Sequence, residues 1–144
     1  MKKPTVLLTG ARAPAALEWA RQFAGAGWRV LAADSIPRPL ASWSGAVSTT
    51  WRVPPARQEP KPFVRAVADI CRQQSVDLVM PVCEEIFELA RGADQLPEGS
   101  RLWSESFDRL VGLHDKNAFM PGPHVWACRR RRRIGSRPCI MSGS

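Results

Sequence analysis

Residues 5–34 read TVLLTGARAPAALEWARQFAGAGWRVLAAD, and this stretch decides the fold. It starts with an apolar run, Val6–Leu8, which stops at Gly10, and continues as an alanine-rich amphipathic segment from Pro14 to Ala24. A second apolar run, Val30–Ala33, follows. Short apolar runs bounded by turn residues are typical of buried strands, and apolar residues at helical spacing indicate a helix. The stretch therefore predicts strand, turn, helix and strand, the first unit of a parallel α/β sheet.

The rest of the chain continues this alternation. Short β-branched or apolar runs predict strands at residues 48–53, 77–82 and 101–103, the first of them near a sheet edge. Helical periodicity predicts helices at residues 60–74 and 83–91 and a last helix that is capped by Ser104. Residues 35–45 are proline-rich and aperiodic, so we expect a surface loop there. The whole pattern predicts an α/β fold with a single small Rossmann-like parallel sheet and flanking helices.

The positive charge of the chain is concentrated at its C-terminal end. The 144 residues carry a formal net charge of +8, and residues 121–144 hold six arginines and no acid: Arg129–Arg133 and Arg137. Neither helical nor strand periodicity continues beyond Met120. We therefore expect one domain at residues 1–119 and a disordered arginine-rich tail at residues 120–144. A nucleic-acid-binding protein with a basic tail is one alternative, although runs of like charge are more often solvated, so no nucleic-acid partner is expected.

Other classes of protein lack support in the sequence. No apolar run reaches about 18 residues, and the short one after Lys3 leads into a helix pattern rather than a signal-peptide cleavage site, so we expect a cytoplasmic protein without a membrane partner. The four cysteines and two histidines fall into no ligand spacing, so free thiols and no metal site are expected. The oligomeric state stays open.

The turn after the first strand is the first candidate site. A dinucleotide-binding turn has three glycines, as G-x-G-x-x-G, whereas here Gly10 is alone and Arg12 and Pro14 take the places where the backbone should approach a pyrophosphate. Asp34 stands where an acid could bind a ribose hydroxyl. These residues favour a geometric role for Gly10, with a weak anion site at the helix N-terminus. A fragment of an NAD(P)-binding oxidoreductase or epimerase stays an alternative, but the chain has no tyrosine for the Tyr-x-x-x-Lys pair of that class.

The second candidate site follows the strand at residues 77–82. Glu84 and Glu85 come just after this strand, on the first turn of the next helix. The carboxyl edge of an open parallel sheet faces the ligand crevice, which favours a binding role for both acids. Acids also favour helix N-termini through the helix dipole alone, so both roles remain open for Glu84 and Glu85.

Taken together, the chain resembles the N-terminal, pre-ATP-grasp domain of the ATP-grasp carboxylate–amine ligases, the carbamoyl-phosphate-synthase-like group. The resemblance covers about residues 4–119. The P-x-x-E motif at the end of the strand and the Asp-Lys pair are its more specific parts. The matching residues are Val6–Arg12, Ala16–Arg21, Val30–Asp34, Met80 and Pro81, Glu84–Ile86, and Leu113–Lys116.

The resemblance implies roles for some of these residues. In that family ATP and magnesium activate a carboxylate as an acylphosphate, which an amine then attacks, and both cofactors are bound by a part that follows the N-terminal domain. It implies no catalytic residue, metal ligand or cofactor in this chain, a small-molecule acceptor substrate facing Gly10, Arg12, Glu84 and Glu85, and a domain junction at Asp115 and Lys116. Whether the chain is an enzyme stays open, and we expect no activity from it alone.

The chain ends where the ATP-binding part of such a ligase should begin. An aperiodic end rich in arginine, proline and cysteine is what a shifted reading frame in GC-rich DNA gives. Our hypothesis is that residues 120–144 are a frameshift product of a ligase gene, and stop codons soon after codon 119 in the other frame would contradict it. The carboxylate and the amine of the ligase, and whether another chain supplies the ATP-binding part, do not follow from the sequence.

Overall fold

The computed structural model describes residues 2–114, which form one five-stranded sheet with helices on both faces. The strands are β1 (Thr5–Thr9), β2 (Arg29–Asp34), β3 (Thr49–Arg52), β4 (Leu78–Pro81) and β5 (Arg101–Leu102). The helices are α1 (Pro14–Gly25), α2 (Pro60–Gln74), α3 (Glu85–Arg91) and α4 (Phe107–His114), and two short 3-10 helices span Leu40–Trp43 and Ala93–Gln95. The predicted α/β fold with a single Rossmann-like parallel sheet is confirmed.

The strand order is β3-β2-β1-β4-β5, and every neighbouring pair is parallel. The chain moves outward from β1 through β2 to β3, and α2 then carries it back to β4 on the other side of β1. The order therefore reverses between β1 and β4. In open parallel sheets the carboxyl ends of two such strands border a crevice, because the connections that follow them leave in opposite directions.

The core consists of two apolar layers, one on each face of the sheet. Leu7 in β1 packs in a cluster with Phe63 of α2 and Leu89 of α3, whereas Leu8 packs on the opposite face with Ala20 of α1. All five of these residues are fully buried. Successive side chains of a strand point to opposite faces, so a strand covered on both sides needs an unbroken apolar run. This requirement explains the runs in β1, β2 and β4.

Two of the predicted helix starts are wrong. α3 begins at Glu85 rather than at residue 83, because Cys83 and Glu84 form a turn whose carbonyl oxygens accept hydrogen bonds from the N–H groups three residues later, at 3.1 Å and 3.2 Å. α4 begins at Phe107 and is not capped by Ser104, whose hydroxyl donates to the carbonyl oxygen of Glu105 at 2.8 Å. The loop predicted at residues 35–45 contains the 3-10 helix Leu40–Trp43.

Some predictions fall outside the described part of the chain. The junction residues Asp115 and Lys116 and the tail at residues 120–144 lie beyond residue 114. Among residues 2–114, no helix combines the length and the apolar character that a membrane crossing requires.

Candidate functional site

The strand register brings the ends of three strands together. Thr9, the last residue of β1, pairs with Ala33 of β2 on one side and with Pro81 of β4 on the other. The chain therefore leaves all three strands at the same edge of the sheet, and Gly10, Ser35 and Val82 are the first residues beyond β1, β2 and β4. Both candidate sites from the sequence lie at this edge, which includes the crevice between β1 and β4.

Gly10 allows the turns after β1 and β4 to touch. Its φ angle is +68°, a left-handed conformation that side chains disfavour. A Cβ atom at this position would lie 2.9 Å from Sγ and 3.1 Å from Cβ of Cys83. Both the backbone conformation and the close approach thus require glycine, and this geometric role accounts for Gly10 without any ligand.

The turn after β1 uses its own N–H groups. The N–H of Arg12 donates to Oδ2 of Asp34 at 2.8 Å, and the N–H of Ala13 donates to the carbonyl oxygen of Gly10 at 3.0 Å. Pro14, the first residue of α1, has no N–H to offer. A pyrophosphate-binding turn needs free N–H groups that point at the ligand. The N–H groups of Arg12 and Ala13 already donate to acceptors within the protein, so the geometry of this turn disfavours a dinucleotide.

Arg12 links two buried carboxylates. Its Nη2 atom lies 3.0 Å from Oδ1 of Asp34 and 3.1 Å from Oε1 of Glu85, and its Nε donates to Oδ2 of Asp34 at 3.1 Å. The side chain of Asp34 is fully buried and that of Glu85 is 9% exposed, whereas the side chain of Arg12 is 47% exposed. Two-point contact between a guanidinium and a carboxylate is the strong form of such a pair. Asp34 is thus occupied by Arg12 and is not free to bind a ribose.

Glu85 has an unusual environment for a carboxyl group. Burial raises its pKa, and the nearby Asp34 carboxylate adds to the rise, while the Thr9 hydroxyl and Arg12 oppose it. The Thr9 hydroxyl is near enough to the Glu85 carboxyl to lower its pKa. Thr9 Oγ1 and Glu85 Oε2 are nevertheless both buried, and among residues 2–114 neither has a partner at hydrogen-bonding geometry. Glu85 therefore keeps one unused acceptor atom and binds a proton more readily than an exposed glutamate.

A cleft of about 970 Å³ opens at this edge of the sheet. A volume of this size is within the range of small-molecule sites. The walls come from the turns after β1 and β4, the loop between β3 and α2, and the facing sides of α3 and α4. Its charged and aromatic lining residues are Arg12, Arg57, Glu84, Glu85, Phe87, Glu88, Arg91, Phe107 and His114.

The helices that line the cleft are held together by aromatic contacts. Arg91 of α3 forms an ion pair with Glu88 at 2.9 Å, and its guanidinium lies 4.5 Å from the centre of the Phe107 ring of α4. The rings of Phe87 and His114 meet edge to face, with centres 5.1 Å apart. Cation–π and edge-to-face contacts of this kind are each worth about 0.5–1.5 kcal/mol, so α4 is attached to α3 along the cleft wall.

Cys83 contributes a thiol to the lining of the cleft. Burial raises the pKa of Cys83, and the Glu85 carboxyl adds to this, so the thiol is not activated as a nucleophile. Among the residues that the structure describes, no group of three or more His, Cys, Asp or Glu side chains is placed to hold a metal ion. The arrangement offers charge pairs, one unused acceptor and an apolar wall.

Comparison with known proteins identifies structural neighbours. No family model and no curated protein sequence matches the chain. Glycinamide-RNase-transformylase T from Mycobacterium tuberculosis is similar in structure, with a TM-score of 0.48 and 23% identity over 68% of this chain and 28% of that chain. The biotin carboxylase domain of a single-chain bacterial carboxylase gives a TM-score of 0.58 and 18% identity over 81% of this chain and 28% of that chain. At 18% identity, the likeness is one of fold.

The chain is much shorter than either neighbour. It covers 28% of the length of both matched chains. The shared fold therefore says nothing about what the remaining parts of those proteins do.

The four predicted site residues differ in their contacts and their burial. Arg12 and Glu85 are joined by an ion pair, and Gly10 lies against Cys83 in the turn after β4. Glu84 lines the cleft but is exposed, and it makes no side-chain hydrogen bond as the cap of α3. A binding role for Glu84 therefore stays a prediction, whereas burial and the Arg12 partner set Glu85 apart.

Two features of the site were missed from the sequence. One is the pairing of Asp34 with Arg12, and the other is Arg57, which lines the cleft from the loop after β3. A signal for Arg57 existed: it follows the carboxyl end of a parallel strand, and loops at those ends meet around the crevice. The pairing of Asp34 had no comparable signal, because an acid at that position is common to many folds.

Proposed function

We propose that residues 2–114 are the substrate-facing N-terminal domain of an ATP-grasp carboxylate–amine ligase, and that the cleft receives part of a small-molecule acceptor substrate. The observation that carries the proposal is the position of the cleft, at the carboxyl ends of β1 and β4, with the ion pair of Arg12 and Glu85 at its base. Ligands of open parallel sheets bind where the strand order reverses.

Two further observations support the same assignment. The sequence resembles the pre-ATP-grasp domain in the residues that build this edge, from the turn after β1 to the P-x-x-E motif after β4. The fold is shared with the biotin carboxylase domain of a single-chain bacterial carboxylase. The carbamoyl-phosphate-synthase-like group within that family is part of the proposal and rests on the sequence resemblance alone.

The proposal gives this domain no catalytic step of its own. In such ligases the acylphosphate would form by transfer of the terminal phosphoryl group of magnesium-bound ATP to the carboxylate, with release of ADP, and the residues that bind ATP and magnesium are in the part that follows this domain. Arg12 and Glu85 would orient the acceptor substrate, and the unused acceptor atom of Glu85 would take a hydrogen bond from it. We therefore expect the isolated chain to neither hydrolyse ATP nor bind it tightly.

The alternative of a nicotinamide-dependent oxidoreductase is disfavoured by the same geometry. The N–H groups of Arg12 and Ala13 are used within the turn after β1, and the carboxylate of Asp34 is held by Arg12. Both groups that a dinucleotide would need are therefore occupied. The alternative of nucleic-acid binding rests on Arg129–Arg133, which lie outside the described residues; deletion of residues 120–144 with unchanged DNA and RNA affinity would remove it.

Titration of the 144-residue chain tests the proposed function. Calorimetry with Mg-ATP and with NADH should show no micromolar binding. NMR titration with a panel of small carboxylates and amines should shift the amide signals of Gly10 and Cys83, which lie at the cleft. The variant Glu85→Gln should weaken that binding, and Glu98→Gln, an exposed acid outside the cleft, should leave it unchanged. A micromolar constant for either nucleotide, or ligand shifts confined to other surfaces, would contradict the proposal.

A further inference from the structure

The charges that line the cleft do not all cancel. Arg12 is paired with Asp34 and Glu85, and Arg91 is paired with Glu88. Arg57 also lines the cleft, and among residues 2–114 it forms neither an ion pair nor a side-chain hydrogen bond. It is the one arginine of the cleft lining that has no acidic partner within the described chain.

The loop that carries Arg57 is anchored on both sides. Ala56, directly before it, is buried and packs into the core cluster beneath α2. The N–H of Glu59 donates to the carbonyl oxygen of Pro55 at 2.8 Å, which closes the turn around Arg57. The backbone that presents the guanidinium is therefore fixed, so less entropy is lost when the side chain binds a ligand.

The wall formed by α3 and α4 includes apolar side chains beside its charged ones. Phe87 and Phe107 are half-buried and line the cleft, and Val111, one turn further along α4, is 45% exposed. A ligand that covered these side chains would gain the free energy of burying apolar surface. The cleft therefore combines one unpaired cation from the loop between β3 and α2 with apolar side chains from α3 and α4.

We propose that Arg57 determines the specificity of the cleft by binding an anionic group, a carboxylate or a phosphate, of a ligand whose apolar part packs against Phe87 and Phe107. The proposal rests on the proposed function, because it names the chemistry of the ligand in the same cleft. A guanidinium binds either anion through two parallel hydrogen bonds, so the two sources share one recognition chemistry.

Glu84 is the competing determinant. It is the exposed acid of the cleft lining that has no ion pair among the described residues, and it comes from the turn after β4. If Glu84 rather than Arg57 governed binding, the preferred ligand would be a cation with an apolar part. The charge preference of the ligand and the effect of removing the charge of Arg57 therefore decide between the two residues.

NMR titration of the isotope-labelled full chain with four phenyl compounds tests this inference. Phenylacetate and phenyl phosphate carry the two anions, phenylacetamide is neutral, and 2-phenylethylamine is a cation. The anions should shift the amide signals of Cys83 and Phe87 and bind about tenfold more tightly than the other two compounds, as expected for a hydrogen bond between charged groups. The anion that binds more tightly shows whether the anionic group of the natural ligand is a carboxylate or a phosphate.

Two variants complete the experiment. Arg57→Gln should weaken anion binding about tenfold, and Arg65→Gln, an exposed arginine of α2 that does not line the cleft, should leave it unchanged. Urea unfolding of both variants checks that they fold like the parent chain. Equal anion affinity in Arg57→Gln and the parent overturns the inference, as does a preference for the amine or the absence of any shift with both anions.

Failure of this inference is distinguishable from failure of the proposed function. Binding of the amine or of the neutral compound at the cleft would remove the role of Arg57 and leave the cleft as a substrate site. Micromolar binding of Mg-ATP or NADH would instead remove the proposed function.

Discussion

Replacement of Arg12 by methionine is the sharpest test of the network at the cleft. Methionine keeps most of the apolar stem of arginine and removes the guanidinium, so the variant isolates the charge. In Arg12→Met, Asp34 loses contacts of 3.0 Å and 3.1 Å and Glu85 loses one of 3.1 Å. The fully buried carboxylate of Asp34 would keep hydrogen bonds from the N–H groups of residues 12 and 36, at 2.8 Å and 3.2 Å, and a long one from the Ser35 hydroxyl at 3.5 Å.

The expected loss of stability follows from this geometry. Removal of one partner from a fully buried ion pair costs about 3–5 kcal/mol, because the other charge stays buried without compensation. The side chain of Arg12 is 47% exposed, so solvent already screens part of its interaction and water can replace part of it. We therefore expect the free energy of unfolding of Arg12→Met to be about 2 kcal/mol lower than that of the parent chain.

Urea unfolding followed by the fluorescence of the six tryptophans measures this loss. Combination with Asp34→Asn gives a double-mutant cycle, in which the coupling between the two positions should be about 1 kcal/mol or more. Arg65→Met, an exposed arginine without an ion pair among the described residues, should change stability by about 0.5 kcal/mol or less. A loss below about 0.5 kcal/mol in Arg12→Met together with zero coupling would refute the view that Arg12 compensates buried charge.

Three further variants test other parts of the structure. Burial raises the pKa of Glu85 above the ordinary 4.5, so ionisation of this carboxyl in the folded state opposes folding. The stability of the parent relative to Glu85→Gln should therefore be greatest below pH 4.5 and decrease as the pH rises through the raised pKa; urea unfolding from pH 4 to pH 7 measures it, and a constant difference would contradict the argument. Gly10→Ala should lower the unfolding free energy by about 2–3 kcal/mol, through its positive φ and the 2.9 Å approach to Cys83, whereas a change as small as that of a surface alanine would show that the turns can separate. Ser75→Gly should raise it by about 0.5–1 kcal/mol, because Ser75 ends α2 with a φ angle of +50°; calorimetric melting checks this, and a lower melting temperature would be the opposite result.

The positions of the two acids after β4, Glu84 and Glu85, were predicted from the sequence, but their surroundings were not. The sequence placed both at the carboxyl edge of the sheet, which is where they lie. A helix start at residue 83 was predicted, and the observed start is at Glu85. Side chains four residues apart lie on the same face of a helix, so Glu85 shares the face of the buried Leu89 and Glu84 does not. The spacing did not show the partner of the buried carboxylate, because Arg12 lies 73 residues away along the chain.

The amino-acid sequence by itself determined the fold class, because strand and helix periodicities depend on residues that are close together along the chain. The run at residues 5–34 already predicted β1, α1 and β2, and the single glycine in its turn already argued against a dinucleotide. Only the tertiary structure decided what Arg12 does. Its partners lie 22 and 73 residues away along the chain, and charges interact through distance and burial, which no local pattern records. The same reason applies to the cleft, whose walls come from segments that only the reversed strand order brings together.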